Sequence, residues 1–253
     1  MIRRAASAVS QVFASQLANV LPAGSTAVDR GLLALSLAAG SLYFLTCAGP
    51  PHLPGLVLKA LSVSPLAAIA IRRLSGPERW LLGGALAAST VGDVLLELKG
   101  LFVPGLGAFL VAQLCYAVLF AREWPGRKRL AGRQRARIGM VFLFCAALVA
   151  WLWPGLGGLA APVLIYIAAL AAMATTAIGA GLRYPPVAWG ALLFVVSDSL
   201  IGVGRFRGPL PLGEYIVWAT YFIAQCCLAL GFLRGRADRL GFARGRQSGG
   251  STH

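Results

Sequence analysis

Eight apolar stretches of membrane-spanning length constrain this chain more than any other feature. They cover residues 31–49, 54–71, 79–98, 101–121, 138–153, 159–181, 186–204 and 212–233. A helix needs about 20 mainly apolar residues to cross a bilayer. Glycine and proline mark the breaks, as in Gly49-Pro50-Pro51, Ser75-Gly76-Pro77 and Tyr184-Pro185-Pro186. The sequence therefore predicts an all-α fold, a polytopic transmembrane bundle of about eight helices.

The composition leaves little room for a separate soluble domain. Charged residues make up 12% of the 253 residues and the mean hydropathy is +0.76, whereas a soluble domain carries about 25% charged residues. We expect the transmembrane domain to cover residues 29–234. The arm at residues 1–28 is predicted to be an uncleaved surface helix or disordered, because polar residues interrupt the apolar core that a signal peptide needs. The basic, glycine-rich tail at residues 235–253 is predicted to be disordered.

The positive charge is distributed as in a membrane protein. The net charge of +15 is compatible with nucleic-acid binding, but the arginines lie in the breaks between apolar stretches rather than on one amphipathic face. Alternate breaks carry almost all of them, including the run at residues 122–137, and the other side has only Lys99, Arg205 and Arg207. This asymmetry predicts that both termini are cytoplasmic and that no nucleic acid is bound. The membrane would be the inner membrane of a bacterium or the endoplasmic reticulum of a eukaryote.

Neither the cysteines nor the histidines indicate a metal, a cofactor or a disulfide framework. The five cysteines are odd in number, include no CxxC pair and lie in apolar stretches, where they are typical of helix packing. They are Cys47, Cys115, Cys145, Cys226 and Cys227. His52 and His253 lie outside the apolar stretches, so neither a metal site nor a serine hydrolase triad is supported.

Two aspartates lie inside apolar stretches, where a carboxylate is costly. Asp93 lies within Leu81–Leu96 and Asp198 within Trp189–Gly204. A charge at mid-membrane depth costs roughly 2.5–3.5 kcal/mol on insertion scales and usually marks a functional site. Lys59 is expected at a similar depth, and Glu97 shares the helix face of Asp93. The aspartates are therefore either a functional pair or a structural ion pair with Lys59.

Polar companions recur at helical spacing near these residues. Gln113 and Tyr116 are three positions apart, and Tyr221 and Gln225 are four apart. The candidate catalytic residues are Asp93 and Asp198, and the candidate substrate-binding residues are Lys59, Glu97, Gln113, Tyr116, Tyr166, Ser197 and Tyr221. For each tyrosine and serine, ordinary helix packing with a satisfied hydroxyl group remains an alternative.

Several of these stretches together resemble a known family. They are Lys59 in an apolar helix, Val91-Gly-Asp-Val-Leu95, Phe102-Val-Pro-Gly-Leu-Gly-Ala-Phe109, Trp189–Asp198 and Tyr221–Gln225. The chain resembles the lysoplasmalogenase, or YhhN-like, family of membrane proteins. The resemblance implies about eight helices, a lysophospholipid substrate, and hydrolysis of the vinyl-ether bond of lysoplasmalogens to a fatty aldehyde and a glycerophospho-base. It places Lys59, Asp93 and Asp198 at the polar centre, and the family often has histidine where this chain has Gln113.

Vinyl-ether cleavage needs a proton donor and a second group that stabilises the cation and activates water. We expect Asp198 to be the acid and Asp93 the base or cation stabiliser, with the reverse assignment open. Lys59 would tune the pair or meet the substrate phosphate. Two other functions remain open: a proton- or ion-coupled transporter that uses the same carboxylates, and a lipid-binding protein without catalysis. Oligomeric state and head-group preference do not follow from the sequence.

Overall fold

The described chain is a bundle of eight α-helices. A computed structural model describes residues 21–48, 52–124, 130–180 and 185–248. The helices are α1 (Ala27–Thr46), α2 (Leu53–Arg73), α3 (Gly76–Glu97), α4 (Phe102–Arg122), α5 (Gly132–Leu156), α6 (Ala160–Gly179), α7 (Pro185–Phe206) and α8 (Gly213–Ser248). No strand occurs in these ranges. The prediction of an all-α transmembrane bundle is confirmed.

By length and composition, seven helical stretches of the described chain are apolar enough to cross a membrane, and one of them spans the 48 residues Gly132–Gly179. That stretch comprises both α5 and α6. Gly157 interrupts it at φ +49°, in the left-handed region that favours glycine. Gln134 near the start of α5 donates to the carbonyl of Ile178 near the end of α6, at 2.9 Å. The two helices therefore run antiparallel, which accounts for eight helices in seven apolar stretches.

The helices run up and down, and the two ends of the bundle differ in character. We call one the basic end, where α1 and α2 meet through Asp29 and Arg72 at 3.1 Å, and α3 and α4 meet through Glu78 and Arg122. We call the other the cavity end. There the start of α2 meets the end of α3, and Gly155 of α5 lies so close to α7 that a Cβ would be 2.3 Å from the Phe206 carbonyl oxygen. Helix α1 begins at the basic end and helix α8 ends there, so the first and last described helices have their free ends on the same side of the bundle.

Helix α1 begins slightly earlier than the sequence predicts. Thr26 caps it, because the Thr26 hydroxyl accepts from the backbone N–H of Asp29 and the Asp29 carboxylate accepts from the backbone N–H of Thr26. The predicted arm at residues 1–28 therefore ends inside the first turn of α1, and its residues 1–20 lie outside the described chain.

Helix α8 continues further than the sequence predicts. Disorder was expected from residue 235, whereas α8 extends to Ser248, and residues 249–253 lie outside the described chain. Arg236 and Arg239 on this extension bind the carboxylate of Glu123, at 3.3 and 2.5 Å. Glu123 is only 4% exposed. A buried carboxylate requires such partners, and these ion pairs dock the first turns of the extension against the end of α4.

Candidate functional site

Asp93 lies on α3, one turn before the cavity end, and is buried. Its carboxylate accepts a hydrogen bond of 2.6 Å from the Tyr221 hydroxyl of α8. Gln225 Nε2 donates to the Tyr221 hydroxyl at 3.0 Å, and the Tyr116 hydroxyl donates to Gln225 Oε1 at 2.6 Å. Tyr116 of α4 and the Tyr221–Gln225 pair of α8 thus form one chain of hydrogen bonds that ends on Asp93. Such chains of buried bonds fix the orientation of the group at their end.

Asp198 lies on α7 and is only partly buried. The Tyr166 hydroxyl of α6 and Gln113 Nε2 of α4 both donate to its Oδ2 atom, the latter at 3.3 Å. Gln113 is fully buried, and its carbonyl oxygen has no hydrogen-bond partner among the described residues. A buried acceptor without a partner is rare and is costly in a low-dielectric interior. The Asp198 site therefore holds an unused acceptor next to a carboxyl group.

The two aspartates line neighbouring cavities. Asp93 lines a polar cavity of about 260 Å³ at the cavity end, together with Lys59 and Glu97. Asp198 lines an apolar pocket among Phe102, Leu106, Leu148, Leu152, Tyr166 and Leu170. Leu96, Phe109 and Ile201 line both spaces and so form a shared wall.

Lys59 pairs with a different acid from the one that the sequence suggested. Its ammonium group donates to Glu97 at 2.9 Å, and the Tyr43 hydroxyl donates to the same Glu97 oxygen. The structural alternative of a direct ion pair with the aspartates is therefore wrong, although Lys59 and Asp93 line the same polar cavity. Glu97 is one turn nearer than Asp93 to the end of α3, where α2 begins, and this position brings it within reach of Lys59.

Three of the predicted substrate-binding residues, Ser197, Tyr116 and Gln113, line neither cavity. The Ser197 hydroxyl donates to the carbonyl of Val217 at 3.1 Å and so ties α7 to α8. Tyr116 is fully buried three hydrogen bonds away from Asp93. Lys59, Glu97, Tyr166 and Tyr221 do line one of the two spaces, and Gln113 reaches the site through Asp198.

The candidate residues did not include three polar or aromatic side chains of the polar cavity, Tyr43 on α1 and Trp218 and Glu214 on α8. Trp218 precedes Tyr221 by three positions and Gln225 by seven, so helical spacing alone places it on the same face. The structure adds that its indole N–H donates to the Gly40 carbonyl at 2.9 Å. Glu214 lies in the first turn of α8, outside the apolar run, and gave no comparable signal.

The arrangement can hold two carboxyl groups at the junction of a polar and an apolar space. Within the described ranges, no three histidine, cysteine, aspartate or glutamate side chains are grouped so that they could hold a metal ion. The side chains that can act on a bound molecule are therefore acids, tyrosines, amides and one ammonium group. Two differently surrounded acids are the arrangement that acid–base catalysis requires.

Comparison with known proteins supports a family assignment. The chain is 40% identical over 186 residues to a lysoplasmalogenase of Mycobacterium bovis, with 70% of each chain covered. It is 33% identical over 161 residues to the human lysoplasmalogenase TMEM86B, covering 63% of this chain and 66% of the human one. It is 30% identical over 210 residues to the TMEM86B protein of Rattus norvegicus, covering 81% and 85%. No solved structure matches.

The sequence profile of the YhhN family matches residues 55–232, a range that begins in α2 and ends in α8. All nine candidate site residues fall within this range. The resemblance noted from the sequence is thereby confirmed: the chain belongs to the YhhN family.

Proposed function

We propose that this protein is a membrane-embedded lysoplasmalogenase that hydrolyses the vinyl-ether bond of lysoplasmalogens. The observation that carries the proposal is the placement of Asp93 and Asp198 in adjoining cavities, one polar and one apolar, inside a transmembrane bundle. The similarity to proteins named lysoplasmalogenase supports the same reaction.

The two cavities match the two halves of a lysolipid. The apolar pocket has a volume of about 40 Å³, and its leucine, isoleucine, valine and phenylalanine lining suits the part of a hydrocarbon chain nearest the scissile bond. The polar cavity suits a phosphate-bearing head group, because Lys59 can pair with a phosphate oxygen. The bond between chain and glycerol would then lie at the shared wall of Leu96, Phe109 and Ile201, between the aspartates.

A lysolipid can reach this site from the side of the bundle. An open groove of about 570 Å³ lies between the end of α7 and the start of α8 and is lined by Leu200, Gly204, Leu210 and Leu212. It shares Ile201, Glu214 and Val217 with the polar cavity. We infer that the substrate enters through this groove rather than from bulk water.

Each step of the reaction has a group to perform it. Asp198, as a neutral acid, delivers its proton to the outer alkene carbon, which leaves an oxocarbenium ion. Asp93, as a carboxylate, stabilises that cation and accepts a proton from the attacking water, giving a hemiacetal. Collapse of the hemiacetal releases the fatty aldehyde and the glycerophospho-base. These steps leave Asp198 ionised and Asp93 protonated. Both return to their starting states when they exchange protons with water.

The assignment of roles rests on the surroundings of each acid. Both donors to Asp198 bind Oδ2, which leaves Oδ1 free to carry the proton. Asp93 shares its cavity with the Lys59 ammonium, whose charge balances a carboxylate there. The unused Gln113 carbonyl oxygen lies beside Asp198, where it can accept a hydrogen bond from water or from the protonated acid.

The proposal is tested by giving purified protein in detergent three lysolipids with the same head group. They differ only in the bond to the chain, which is a vinyl ether, a saturated alkyl ether or an ester. We expect aldehyde only from the vinyl ether, because only its alkene can be protonated to an oxocarbenium ion. No aldehyde, or ester cleavage at a comparable rate, would overturn the proposal and favour a transporter or another hydrolase.

A further inference from the structure

Three arginines near the start of α5 have no acidic partner. Arg133, Arg135 and Arg137 lie in its first two turns, at the basic end. All eight acidic residues of the chain lie within the described ranges, and the ion pairs formed there use other cations. Those cations include Lys59, Arg72, Arg73, Arg122, Arg236 and Arg239. The three α5 arginines are therefore not paired with any acidic side chain of this protein.

Arg133 and Arg137 share one face of α5, the face next to α7. The Arg137 guanidinium carbon lies 5.5 Å from the centroid of the Trp189 ring of α7. Arg133 is one turn before Arg137 and lies on the same face, whereas Arg135 is two positions from each and lies on the opposite side of the helix. Neither Arg133 nor Arg137 donates a hydrogen bond to another residue of the described ranges. A guanidinium group that stacks on a ring keeps the N–H groups along its edge for a phosphate oxygen.

Toward the middle of the bundle from these two arginines, the facing sides of α5 and α7 are apolar and exposed. Met140 and Phe144 follow Arg137 by three and seven positions, and Val196 follows Trp189 by seven, so each group lies on one helix face. The two α5 side chains are 61% and 44% exposed, and Trp189 and Val196 are 55% and 41% exposed. We call the surface formed by Arg133, Arg137, Met140, Phe144, Trp189 and Val196 the α5–α7 groove.

The α5–α7 groove is closed at one end and open at the other. Near the cavity end the backbones of α5 and α7 touch, since a Cβ at Gly155 would lie 2.3 Å from the Phe206 carbonyl oxygen. At the basic end the two helices meet instead through two long side chains, Arg137 and Trp189. Helix α5 carries no charged residue between Arg137 and its end at Leu156, so Arg137 marks the membrane interface. The groove therefore has its charge at the interface and its apolar part at the depth of lipid chains.

We propose that the α5–α7 groove binds one anionic phospholipid of the leaflet at the basic end. Arg133 and Arg137 hold its phosphate, and one acyl chain lies along Met140, Phe144 and Val196. The anionic head group supplies the charge that no acid of the chain supplies, and the acyl chain covers the apolar part. A zwitterionic lipid fits less well, because its own cation competes with the arginines for the phosphate. This site is separate from the two aspartates, and the inference does not depend on the proposed function.

Diffuse attraction between arginine and an anionic membrane surface is the plain alternative. In that case each arginine near the surface contributes about equally, wherever it lies on the helix. Arg135 separates the two accounts, because it is exposed, lies between Arg133 and Arg137 in the chain and faces away from the α5–α7 groove. A built site distinguishes Arg135 from its two neighbours, and diffuse attraction does not.

Native mass spectrometry of the protein in detergent tests the site by counting bound lipids. The protein is titrated with phosphatidylglycerol or with phosphatidylcholine of the same acyl chains. We expect wild type to hold one phosphatidylglycerol molecule about tenfold more tightly than phosphatidylcholine. Arg133→Gln and Arg137→Gln should each weaken the binding of phosphatidylglycerol about fivefold. The matched control Arg135→Gln removes the same charge from the same turn and should resemble wild type.

Four results would overturn the site. Equal losses in all three variants would show diffuse attraction, and equal binding of the two lipids would show an apolar contact that does not recognise charge. Displacement of phosphatidylglycerol by inorganic phosphate alone would show that the acyl chain contributes nothing. A dimer that excludes the lipid would assign the α5–α7 groove to a second copy of the chain.

Folding of the variants is checked by thermal unfolding without added lipid. Arg137→Gln also loses the contact with the Trp189 ring, which can lower stability by itself. Arg133 has no ring contact or hydrogen bond from its side chain in the described ranges. If Arg137→Gln does not fold, Arg133→Gln compared with Arg135→Gln therefore decides the question alone.

Discussion

Each aspartate is held by a tyrosine from another helix. Tyr221 of α8 donates to Asp93 of α3, and Tyr166 of α6 donates to Asp198 of α7. A hydrogen bond to a charged group in a low-dielectric interior is stronger than one in water. The two proposed catalytic side chains are therefore oriented by contacts between helices, and their geometry depends on the assembled bundle.

Replacing these tyrosines should lower kcat more than KM. Tyr166→Phe and Tyr221→Phe each remove one bond of about 1.5 kcal/mol to a carboxyl group, which corresponds to roughly tenfold in rate. Steady-state kinetics on a lysoplasmalogen measures the split. Tyr116→Phe is the matched control, because its hydroxyl lies three hydrogen bonds away from Asp93, and we expect a smaller loss. An unchanged kcat in both Tyr166→Phe and Tyr221→Phe would show that these two tyrosines do not position the aspartates for catalysis.

At the scale of helices, close contacts at glycine set the wall between the two cavities. A Cβ at Gly92 would lie 2.6 Å from the Phe109 ring, so α3 and α4 can approach there only because the side chain is absent. Gly92 directly precedes Asp93, and Phe109 belongs to the shared wall. Moving this ring changes both cavities at once.

The substitution Gly92→Ala should destabilise the protein and lower its activity. Forcing a methyl group into a packed contact costs about 1–3 kcal/mol. Gly84→Ala is a matched control on the same helix, since a Cβ there would lie 3.9 Å from the Cys115 sulfur, an ordinary contact. Thermal unfolding in detergent should show a lower midpoint for Gly92→Ala alone. Equal midpoints for the two variants would contradict the packing argument.

The number of helices and their approximate ends could be predicted from the sequence, because apolar length and glycine–proline breaks are local signals. The partners of the charged residues could not. Lys59 was expected near Asp93 by depth alone, and whether it binds Asp93 or Glu97 depends on how α2 and α3 are rotated against each other. The extension of α8 was missed for the same reason, since Glu123 and Arg239 are far apart in the chain.

At the scale of the whole molecule, charge divides the bundle along its length. At the basic end the acids Asp29, Glu78 and Glu123 are each paired with arginine. At the cavity end Asp93, Glu97 and Glu214 line the polar cavity, and of these Glu97 is paired with Lys59. An excess of arginine at one end predicts that this end, with both chain ends, faces the cytoplasm.

Cysteine labelling tests this orientation. In a cysteine-free background, Lys99→Cys and Arg133→Cys place single thiols at exposed positions of opposite ends. A membrane-impermeant maleimide should label position 99 in intact cells and position 133 only after permeabilisation, because only the cavity end faces outward in the predicted orientation. The reverse pattern would place the basic end outside the cytoplasm.

The central claim is that Asp93 and Asp198 act together on one vinyl-ether bond. Turnover in deuterium oxide, with rapid chemical trapping and mass spectrometry of the aldehyde, tests it most directly. We predict that wild type adds one deuterium at the carbon next to the aldehyde group, and that Asp93→Asn and Asp198→Asn each lower the rate at least about a hundredfold. Aldehyde without added deuterium, or full activity in either variant, would contradict the account.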